Sequence, residues 1–255
     1  MLTQERKAHI QAVLRRDGRV VAKALSQELD LSEDTIRRDL RELASEGLLQ
    51  RVHGGALPAS PATAKFAARQ TLATSAKMAI GRAAARLVRP RQVIFLDGGT
   101  TTVQMARSLP TDLVATVVTH SPSIAVELLE HPNVTVELIG GRLFKHSVVA
   151  VGATAIEAIA RVRADTYFMG VTGIHPDIGL TTGDSEEAAV KRALSQHAAE
   201  TVVLASREKL GAASPFVVVP VIEIGTIIVE ADTPEALVAP YRAANVAIIF
   251  AQTLE

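Results

Sequence analysis

The 255-residue sequence contains no cysteine and no tryptophan, and only 3% of its residues are aromatic. Without cysteine there can be no disulfide, no thiolate catalysis and no cysteine-based zinc site. The scarcity of aromatic residues argues against a binding surface built on aromatic stacking. The start of the chain, MLTQERKAHI, lacks the apolar run of a signal peptide, and no later uncharged run approaches the roughly 18 residues that span a bilayer. The sequence therefore predicts a cytoplasmic protein with no membrane partner.

The histidines give no sign of a metal site. His53, His120, His146 and His175 are not paired at the spacing of metal ligands. We therefore expect neither a metal ion nor another cofactor.

The composition is that of an ordinary globular protein, with 48% hydrophobic and 21% charged residues. The length suits one large domain or two smaller ones. Because 27 basic residues balance 27 acidic ones, the total charge does not indicate a polyanionic partner. Residues 1–56 carry ten basic and nine acidic side chains, a net charge of only +1. An interpretation as a nucleic-acid-binding protein must therefore depend on where the charges lie.

The first part of the chain has the apolar spacing of consecutive helices. Residues 3–16 predict one helix, which Gly18 ends. Residues 20–29, VVAKALSQEL, continue at helical spacing and predict a second helix that begins at Val20. Residues 30–32 break the pattern, and the chain turns there.

A third helix follows, and Ser32 can cap it. Glu33 lies in its first turn, where an acid favours the positive end of the helix dipole, and Gly47 lies just past its end. Its apolar residues form one stripe, so Arg37, Arg38 and their neighbours point toward the flanks and solvent. The segment LLQRVHGGAL then predicts a short β-hairpin with its glycines at the turn.

Helix, helix, turn, helix and hairpin within residues 1–56 form the pattern of a winged helix-turn-helix domain. The alternative for the arginines alone is a solvated charged helix. The whole pattern favours DNA binding, with the third helix in the major groove and the hairpin at the backbone or minor groove. The predicted DNA-binding residues are Ser32, Thr35, Arg37, Arg38, Arg41, Arg51 and His53.

The composition changes after the hairpin. Residues 57–75 are rich in Ala, Pro, Ser and Thr and predict a linker that becomes helical toward Arg69. In residues 76–255, short β-branched runs alternate with Ala-rich helical segments. This alternation predicts a parallel sheet covered on both faces, with ligands bound at the carboxyl ends of its strands.

Glycine and hydroxyl clusters stand where those strands end. DGGTTT at residues 97–102 opens a helix, so its backbone N–H groups and hydroxyls can hold a phosphate, although a tight turn with a Thr cap would have the same sequence. Similar clusters follow at residues 119–121, 140–141 and 170–175. Their recurrence favours a small polar pocket that accepts phosphate.

The other candidates are ambiguous from spacing alone. Asp184 and Glu187 have the spacing of a capping box, and Glu187 with Lys191 that of an i,i+4 ion pair. Lys209 follows a strand and could meet a phosphate, or lie at the surface. Asp97 and Asp184 could act as general bases, but their spacing does not require it.

The segment TIRRDLRELASEGLLQRVHGGA is very similar to the DNA-binding signature of the DeoR family of bacterial transcriptional regulators. DGGTTT, GVTGI and EEAAVKRAL resemble the effector domain of that family. The resemblance implies a repressor, or less often an activator, of sugar or polyol catabolism genes, switched by a phosphorylated metabolite. It implies a C-terminal Rossmann-like, mainly parallel α/β effector domain with the fold of ribose-5-phosphate isomerase.

The expected effector-binding residues combine this resemblance with the strand-end clusters. They are Asp97, Gly98, Gly99, Thr100, Thr101, Thr102, Thr119, His120, Ser121, Gly141, Thr172, Gly173, Asp184, Glu187 and Lys209. Two positions depart from the family pattern beside the expected ligand: His120 stands where Asn is usual, and Ser206 where Asp is common. These departures bear on which effector is bound.

One winged helix makes few phosphate contacts, so useful affinity at cellular salt needs at least a dimer on two half-sites. We therefore expect a homo-oligomer, a dimer or a tetramer, on double-stranded operator DNA. Two alternatives stay open: a sugar-phosphate isomerase-like enzyme with a DNA-binding appendage, and an interaction module that has lost its ligand.

Overall fold

The structure is a computed structural model that describes residues 2–60, 66–72 and 74–252 of the chain. Three helices with a small antiparallel sheet come first, and a larger α/β unit follows. The predicted pair of a winged helix-turn-helix and a Rossmann-like, mainly parallel α/β domain is confirmed. In the part that the structure describes, no helix is long and apolar enough to cross a membrane.

The N-terminal domain has the predicted order of helices and hairpin. Gly18, with φ of 69°, ends the first helix, and Asp30, with φ of 54°, lies in the turn before the third. Both residues have the left-handed conformation that turns a chain out of a helix. Its elements are α1 (Thr3–Asp17), β1 (Val20–Val21), α2 (Ala22–Glu28), α3 (Glu33–Ser45), β2 (Leu49–Val52) and β3 (Gly55–Pro58).

The prediction that the second helix begins at Val20 is wrong. Val20 and Val21 form β1, which pairs antiparallel with β3, and the helix begins at Ala22. The spacing of the apolar residues fits a helix, but the two β-branched residues lie beside the free edge of the hairpin. They gain ladder hydrogen bonds there, which the local pattern cannot reveal.

A buried ion pair holds α1 against α3. The Arg6 guanidinium donates from Nη2 to Oδ1 of Asp39 at 3.0 Å and from Nε to Oδ2. Asp39 is fully buried and Arg6 is 5% exposed. The pair lies among the apolar side chains of this small core, which include Ile10, Ile36 and Leu40.

The C-terminal domain contains the remaining elements. Its helices are α4 (Phe66–Gln70), α5 (Thr74–Ala85), α6 (Thr100–Arg107), α7 (Pro122–Glu127), α8 (Ala153–Ile159), α9 (Ser185–Gln196) and α10 (Glu235–Ala243). Its strands are β4 (Val93–Leu96), β5 (Ala115–Thr119), β6 (Val134–Leu138), β7 (Arg142–Phe144), β8 (Val149–Val151), β9 (Ala164–Gly170), β10 (Gly173–His175), β11 (Gly179–Thr182), β12 (Ala198–Leu204), β13 (Phe216–Val217), β14 (Thr226–Glu230) and β15 (Ala247–Ala251). Short 3₁₀ helices cover Arg207–Lys209 and Val221–Glu223.

Seven parallel strands form the central sheet in the order β15-β14-β12-β9-β4-β5-β6. Phe95 belongs to one buried apolar cluster, whereas its neighbours Ile94 and Leu96 belong to another. Because successive side chains of a strand point to opposite faces, both faces of the sheet are covered. The strand order runs outward in opposite directions from β4 and β9, so the sheet has its switch point between these two strands.

The predicted linker, residues 57–75, includes the end of β3 and the helix α4, which contains Arg69 as expected. Residues 61–65 and 73 of this segment lie outside the described residues. On its N-terminal side, Ala59 forms a bridge with Ala213 of the C-terminal domain. The two domains are thus in contact where the hairpin ends.

Candidate functional site

Helix α3 presents a row of arginines because of its cap and its apolar stripe. Ser32 Oγ accepts a hydrogen bond from the Thr35 amide at 3.2 Å, the geometry of an N-cap. Ile36, Leu40 and Leu43 are buried against the rest of the domain. The opposite face, with its arginines, is left in solvent.

The exposed arginines of α3 differ in how they are paired. Arg37 donates to Glu33 one turn earlier, at 2.6 Å. In the described part of the chain, neither Arg38 nor Arg41 has an ion pair or a hydrogen-bonded acceptor, and both are exposed. Arg38 and Arg41 thus have their guanidinium groups available in solvent, whereas that of Arg37 is paired with Glu33.

The hairpin β2–β3 forms the wing beside α3. Arg51 on β2 and His53 in the turn are exposed. A side chain at Gly55 would place its Cβ 1.8 Å from the Val20 carbonyl oxygen, so β1 and β3 can only approach this closely with glycine there. The wing is thereby fixed against the helical core and presents Arg51 and His53 on the domain surface.

A second candidate site lies at the switch point of the C-terminal sheet. It is a small open pocket, and the empty space of about 390 Å³ measured there includes open solvent in front of it. The segment after β4 and the segment after β9 both contribute to its wall. Ligands of doubly wound sheets bind at this place because the loops diverge there and leave a crevice.

The segment Gly98–Thr102 lines the pocket and begins α6. Gly99 has φ of 131°, and a Cβ at Gly98 would lie 2.2 Å from Val149 Cγ1, so both positions require glycine. The first amides of a helix have no partners within it and attract anions. Thr102 turns its hydroxyl to the Gly99 carbonyl, at 2.9 Å. The backbone of this loop is therefore the candidate anion-binding group.

Asp97 lies behind this loop, fully buried, and organises the pocket wall. Its Oδ1 accepts from the Gly98 amide at 2.8 Å and from His120 Nε2 at 2.9 Å. Its Oδ2 accepts from the Gly170 amide at 2.8 Å and from Lys191 Nζ. Burial opposes ionisation, but the Lys191 charge and the hydrogen bond from His120 prevail and lower the pKa of Asp97 to about 2.

Three cations line the pocket with one carboxylate, that of Glu187. Lys191 Nζ forms an ion pair with Asp97, donates to the Gly170 carbonyl at 2.9 Å and lies 3.7 Å from the Glu187 carboxylate. Arg69 and Lys209 form no ion pair with any described residue. Burial, with the nearby charges of Lys77, Arg69 and Lys191, lowers the pKa of Lys209 to about 8 against the opposing effect of Glu208. The pocket therefore has unneutralised positive charge beside a helix N-terminus.

The structure brings together eight of the residues expected to bind the effector. The pocket-lining ones are Gly98, Gly99, Thr100, Thr101, Thr102, Thr172, Glu187 and Lys209. Those that do not line it are Asp97, Thr119, His120, Ser121, Gly141, Gly173 and Asp184. Whether any of them binds a ligand stays a prediction.

The residues outside the pocket have structural contacts. Thr119 donates to the Leu96 carbonyl at 2.6 Å, and Asp184 caps α9 by accepting from the amides of Glu186 and Glu187. His120 is buried between Asp97 and the Ala150 carbonyl, its Nδ1 lying 2.9 Å from that oxygen. The departure from the family pattern at His120 therefore lies behind the pocket wall.

Sequence reasoning missed several lining residues, of which Arg69, Ser147 and Lys191 are the polar ones. Lys191 was noted only as a helical partner of Glu187, and its pairing with Asp97 joins residues 94 positions apart. Arg69 lies in a segment whose composition predicts a linker. No local signal distinguishes Arg69 from the other arginines of the chain.

Two family models match the chain. The one described as the DeoR C terminal sensor domain matches residues 72–231, and the one described as the DeoR-like helix-turn-helix domain matches residues 6–62. Together they span the arginine-bearing helix and every pocket-lining residue except Arg69, which lies between the two matches.

Two curated relatives match over most of their length. The HTH-type transcriptional regulator GlpR of Haloferax volcanii is 39% identical over 83% of each chain. The HTH-type transcriptional repressor CsqR of Escherichia coli strain K12 is 31% identical over 89% of this chain and 88% of its own. Among solved structures, ribose 5-phosphate isomerase A from Methanocaldococcus jannaschii covers 52% of each chain at 17% identity, with a TM-score of 0.39. That last likeness is too partial to bear on function.

Proposed function

The chain belongs to the DeoR family of transcriptional regulators, and from that premise we propose how its two sites act together. The N-terminal domain binds operator DNA and represses carbohydrate or polyol catabolism genes in the cytoplasm. A phosphorylated sugar or polyol binds the C-terminal pocket and changes the affinity for DNA. The relative CsqR is named a transcriptional repressor, which supports repression over activation.

One observation carries the proposal for the effector. Arg69 and Lys209 approach the first turn of α6 without carboxylate partners of their own. A dianionic phosphate would be held by these charges and by the backbone amides of the loop. The Glu187 carboxylate, which already accepts from Thr182 Oγ1 at 2.9 Å, can accept from sugar hydroxyls at the same time. A phosphate joined to a polyhydroxyl chain fits both halves of the pocket.

On DNA, α3 enters the major groove and the wing lies at the backbone or minor groove. Arg38 and Arg41 are the free cations of the helix, and they divide between base edges and phosphates. Arg51 and His53 on the wing contact the backbone. Because one domain makes few such contacts, the protein acts as a homo-oligomer that binds two half-sites.

We expect Arg38→Ala to weaken specific DNA binding by about 1–3 kcal/mol, the range for loss of a bidentate contact to guanine. Fluorescence anisotropy of a labelled duplex from the protein's own promoter measures the change. Arg86→Ala is the control, since Arg86 is exposed on the other domain. Equal affinity of the Arg38 and Arg86 variants would refute the role of Arg38.

The same duplex tests the proposed function. Protein bound to it is challenged with sugar and polyol phosphates, each beside its unphosphorylated parent. Release by one phosphate ester, and not by its parent, is the expected result. If no compound alters the binding, the effector half of the proposal is wrong. If the duplex is not bound specifically, the DNA half is wrong.

Effector affinity should fall as the pH rises through the pKa of Lys209, about 8. A phosphate monoester is already dianionic above pH 7, so a loss of affinity above that pH reports the protein and not the ligand. If only the charged amine binds, affinity drops about tenfold between pH 7 and pH 9. Calorimetric titration of the effector at several pH values measures the profile. Lys209→Arg, which keeps its charge, should flatten it, and a wild-type profile as flat would contradict the prediction.

The isomerase-like alternative is not favoured. The relatives matched over most of their length are transcriptional regulators. In addition, both oxygens of the Asp97 carboxylate already accept two hydrogen bonds each, and the group is fully buried. A general base must reach the proton that it removes, and this carboxylate has no free side toward the pocket.

A further inference from the structure

Arg69 lines the pocket from α4, a helix of only five residues. Its Nε and Nη2 atoms are buried and have no hydrogen-bond partner among the described residues. Arg69 as a whole is half-buried, but two buried N–H groups without an acceptor cost free energy, so such an arrangement is unusual unless a ligand supplies the acceptor. The position of Arg69 therefore indicates an anion in the pocket.

The backbone around Arg69 is fixed by hydrogen bonds, whereas Nε and Nη2 of its side chain have no hydrogen-bond partner among the described residues. Lys77 on α5 donates from Nζ to the carbonyl oxygens of Arg69 and Leu72. The Phe66 amide donates to the His146 carbonyl at 3.0 Å. These contacts, together with the packing of Phe66 on the apolar cluster, hold a helix that is too short to be stable alone, so an added contact through Arg69 would stabilise it further.

The chain that leaves the wing touches the same pocket. At the end of β3, the Ala213 amide donates a hydrogen bond to the Pro58 carbonyl at 3.4 Å. The Ser60 hydroxyl then donates to the carbonyl of Thr172, which lines the pocket. Wing and pocket are thus joined through a few residues, and α4 follows after residues 61–65.

We propose that Arg69 binds the phosphate group of the effector directly, and that this contact makes α4 the element that couples pocket occupancy to the DNA-binding domain. The inference depends on the function proposed above and adds the residue and the segment that would carry its regulation. With phosphate bound, α4 is held at the pocket and the segment after β3 is held with it. Without phosphate, α4 keeps its backbone hydrogen bonds and the packing of Phe66 on the apolar cluster, but it lacks the contact through Arg69.

Coupling of this kind is reciprocal. A ligand changes DNA affinity only to the extent that it binds one arrangement of α4 and the wing more tightly than the other. DNA must then change phosphate affinity by the same factor. Arg69 is the residue through which this difference would arise, because it lies in the predicted linker segment, whereas Lys191 and Lys209 lie on α9 and on the 3₁₀ helix Arg207–Lys209.

The test uses the full-length protein with inorganic phosphate as the probe. Affinity is measured by isothermal titration calorimetry, and hydrogen exchange is followed at residues 66–72 and 55–58. The variants are Arg69→Gln, Lys209→Met and, as the matched control, Arg86→Gln, whose side chain is exposed and outside the pocket. In the wild type and in the control, phosphate should slow exchange at residues 66–72 and alter it at residues 55–58.

Arg69→Gln should bind phosphate about 10- to 100-fold more weakly, the range for loss of hydrogen bonds to a charged group, and should lose both exchange responses. Its melting temperature without phosphate should not fall, because the guanidinium has no protein partner to lose. A fall of several degrees would mean a structural role and would overturn the proposal. Wild-type phosphate affinity would overturn it as well.

The Lys209 variant separates this inference from the function on which it rests. If Lys209→Met weakens phosphate binding and Arg69→Gln does not, the phosphate pocket stands and the role of Arg69 is wrong. If neither variant weakens binding, the proposed phosphate site itself is wrong. If Arg69→Gln weakens binding but exchange at residues 55–58 still responds to saturating phosphate, coupling through α4 is refuted.

Discussion

Arg6→Ala is expected to lower the free energy of unfolding of the N-terminal domain by about 3–5 kcal/mol, because it leaves the buried Asp39 carboxylate without its partner. Asp39 is fully buried, and both of its oxygens accept from Arg6. A domain of this size has little stability to spare. The variant should therefore lose DNA binding while the C-terminal domain stays folded.

Hydrogen exchange at the amides of α1 and α3 is the suitable measurement, since residues 1–60 contain no aromatic residue and give no intrinsic fluorescence. Arg16→Ala is the control, because the Arg16–Asp17 pair at 2.7 Å is exposed and exposed pairs contribute little to stability. Arg6→Met combined with Asp39→Leu should recover most of the loss, since apolar residues can replace a buried pair. Exchange in Arg6→Ala as slow as in Arg16→Ala would show that the pair is not needed.

Asp97→Ala is expected to destabilise the C-terminal domain by a similar amount, about 3–5 kcal/mol, and to abolish effector binding. The change removes the acceptor of two backbone amides and leaves Lys191, 3% exposed, with Glu187 at 3.7 Å as its remaining carboxylate. The loop from Gly98 loses the contact that fixes it. The pocket is therefore lost together with stability.

Urea unfolding followed by tyrosine fluorescence measures this change, because the chain's two tyrosines, Tyr167 and Tyr241, both lie buried in this domain. Asp112→Ala, at an exposed position, is the matched control. Adding Lys191→Met to Asp97→Ala should restore part of the stability, since the uncompensated charge is then gone. Equal urea midpoints for the Asp97 and Asp112 variants would contradict the prediction.

The wild type has a pH dependence of the same origin. The pKa of Asp97 in the folded protein, about 2, is below the ordinary value of 3.8. The ionised carboxylate therefore contributes stability in full above the ordinary value, and this contribution is lost as the pH falls through about 2.

Local physics was sufficient to predict most of the fold. Ser32 caps α3 and the glycines of DGGTTT open α6, because capping and left-handed turns depend on a few adjacent residues. The β-branched runs became seven parallel strands, because most of them fit strands that are buried on both faces; the edge strands β6 and β15 are partly exposed. The prediction of a helix at Val20 was wrong because β3, a strand distant in the sequence, pairs with Val20 and Val21 and makes them a strand.

The candidate sites were predicted in part. The strand-end motifs located the pocket, since the carboxyl ends of parallel strands meet at one edge whatever the detailed packing. The sequence could not divide their residues between those that line the pocket and those that support it. Asp97 stands in the same motif as Gly98, and His120 stands in a strand-end cluster like that of Thr172, yet Asp97 and His120 lie behind the wall.

By itself the sequence determined the two domains, the arginine-bearing helix and the phosphate-compatible loop, because periodicity, caps and glycine positions are properties of short segments. The tertiary structure alone decided which charges are neutralised: Arg6 by Asp39, 33 positions away, and Lys191 by Asp97. It also left Arg69 and Lys209 without an ion pair to any residue that the structure describes. The physical reason is that the strength of a charge pair depends on separation and burial, and both are set by packing between segments far apart in the chain.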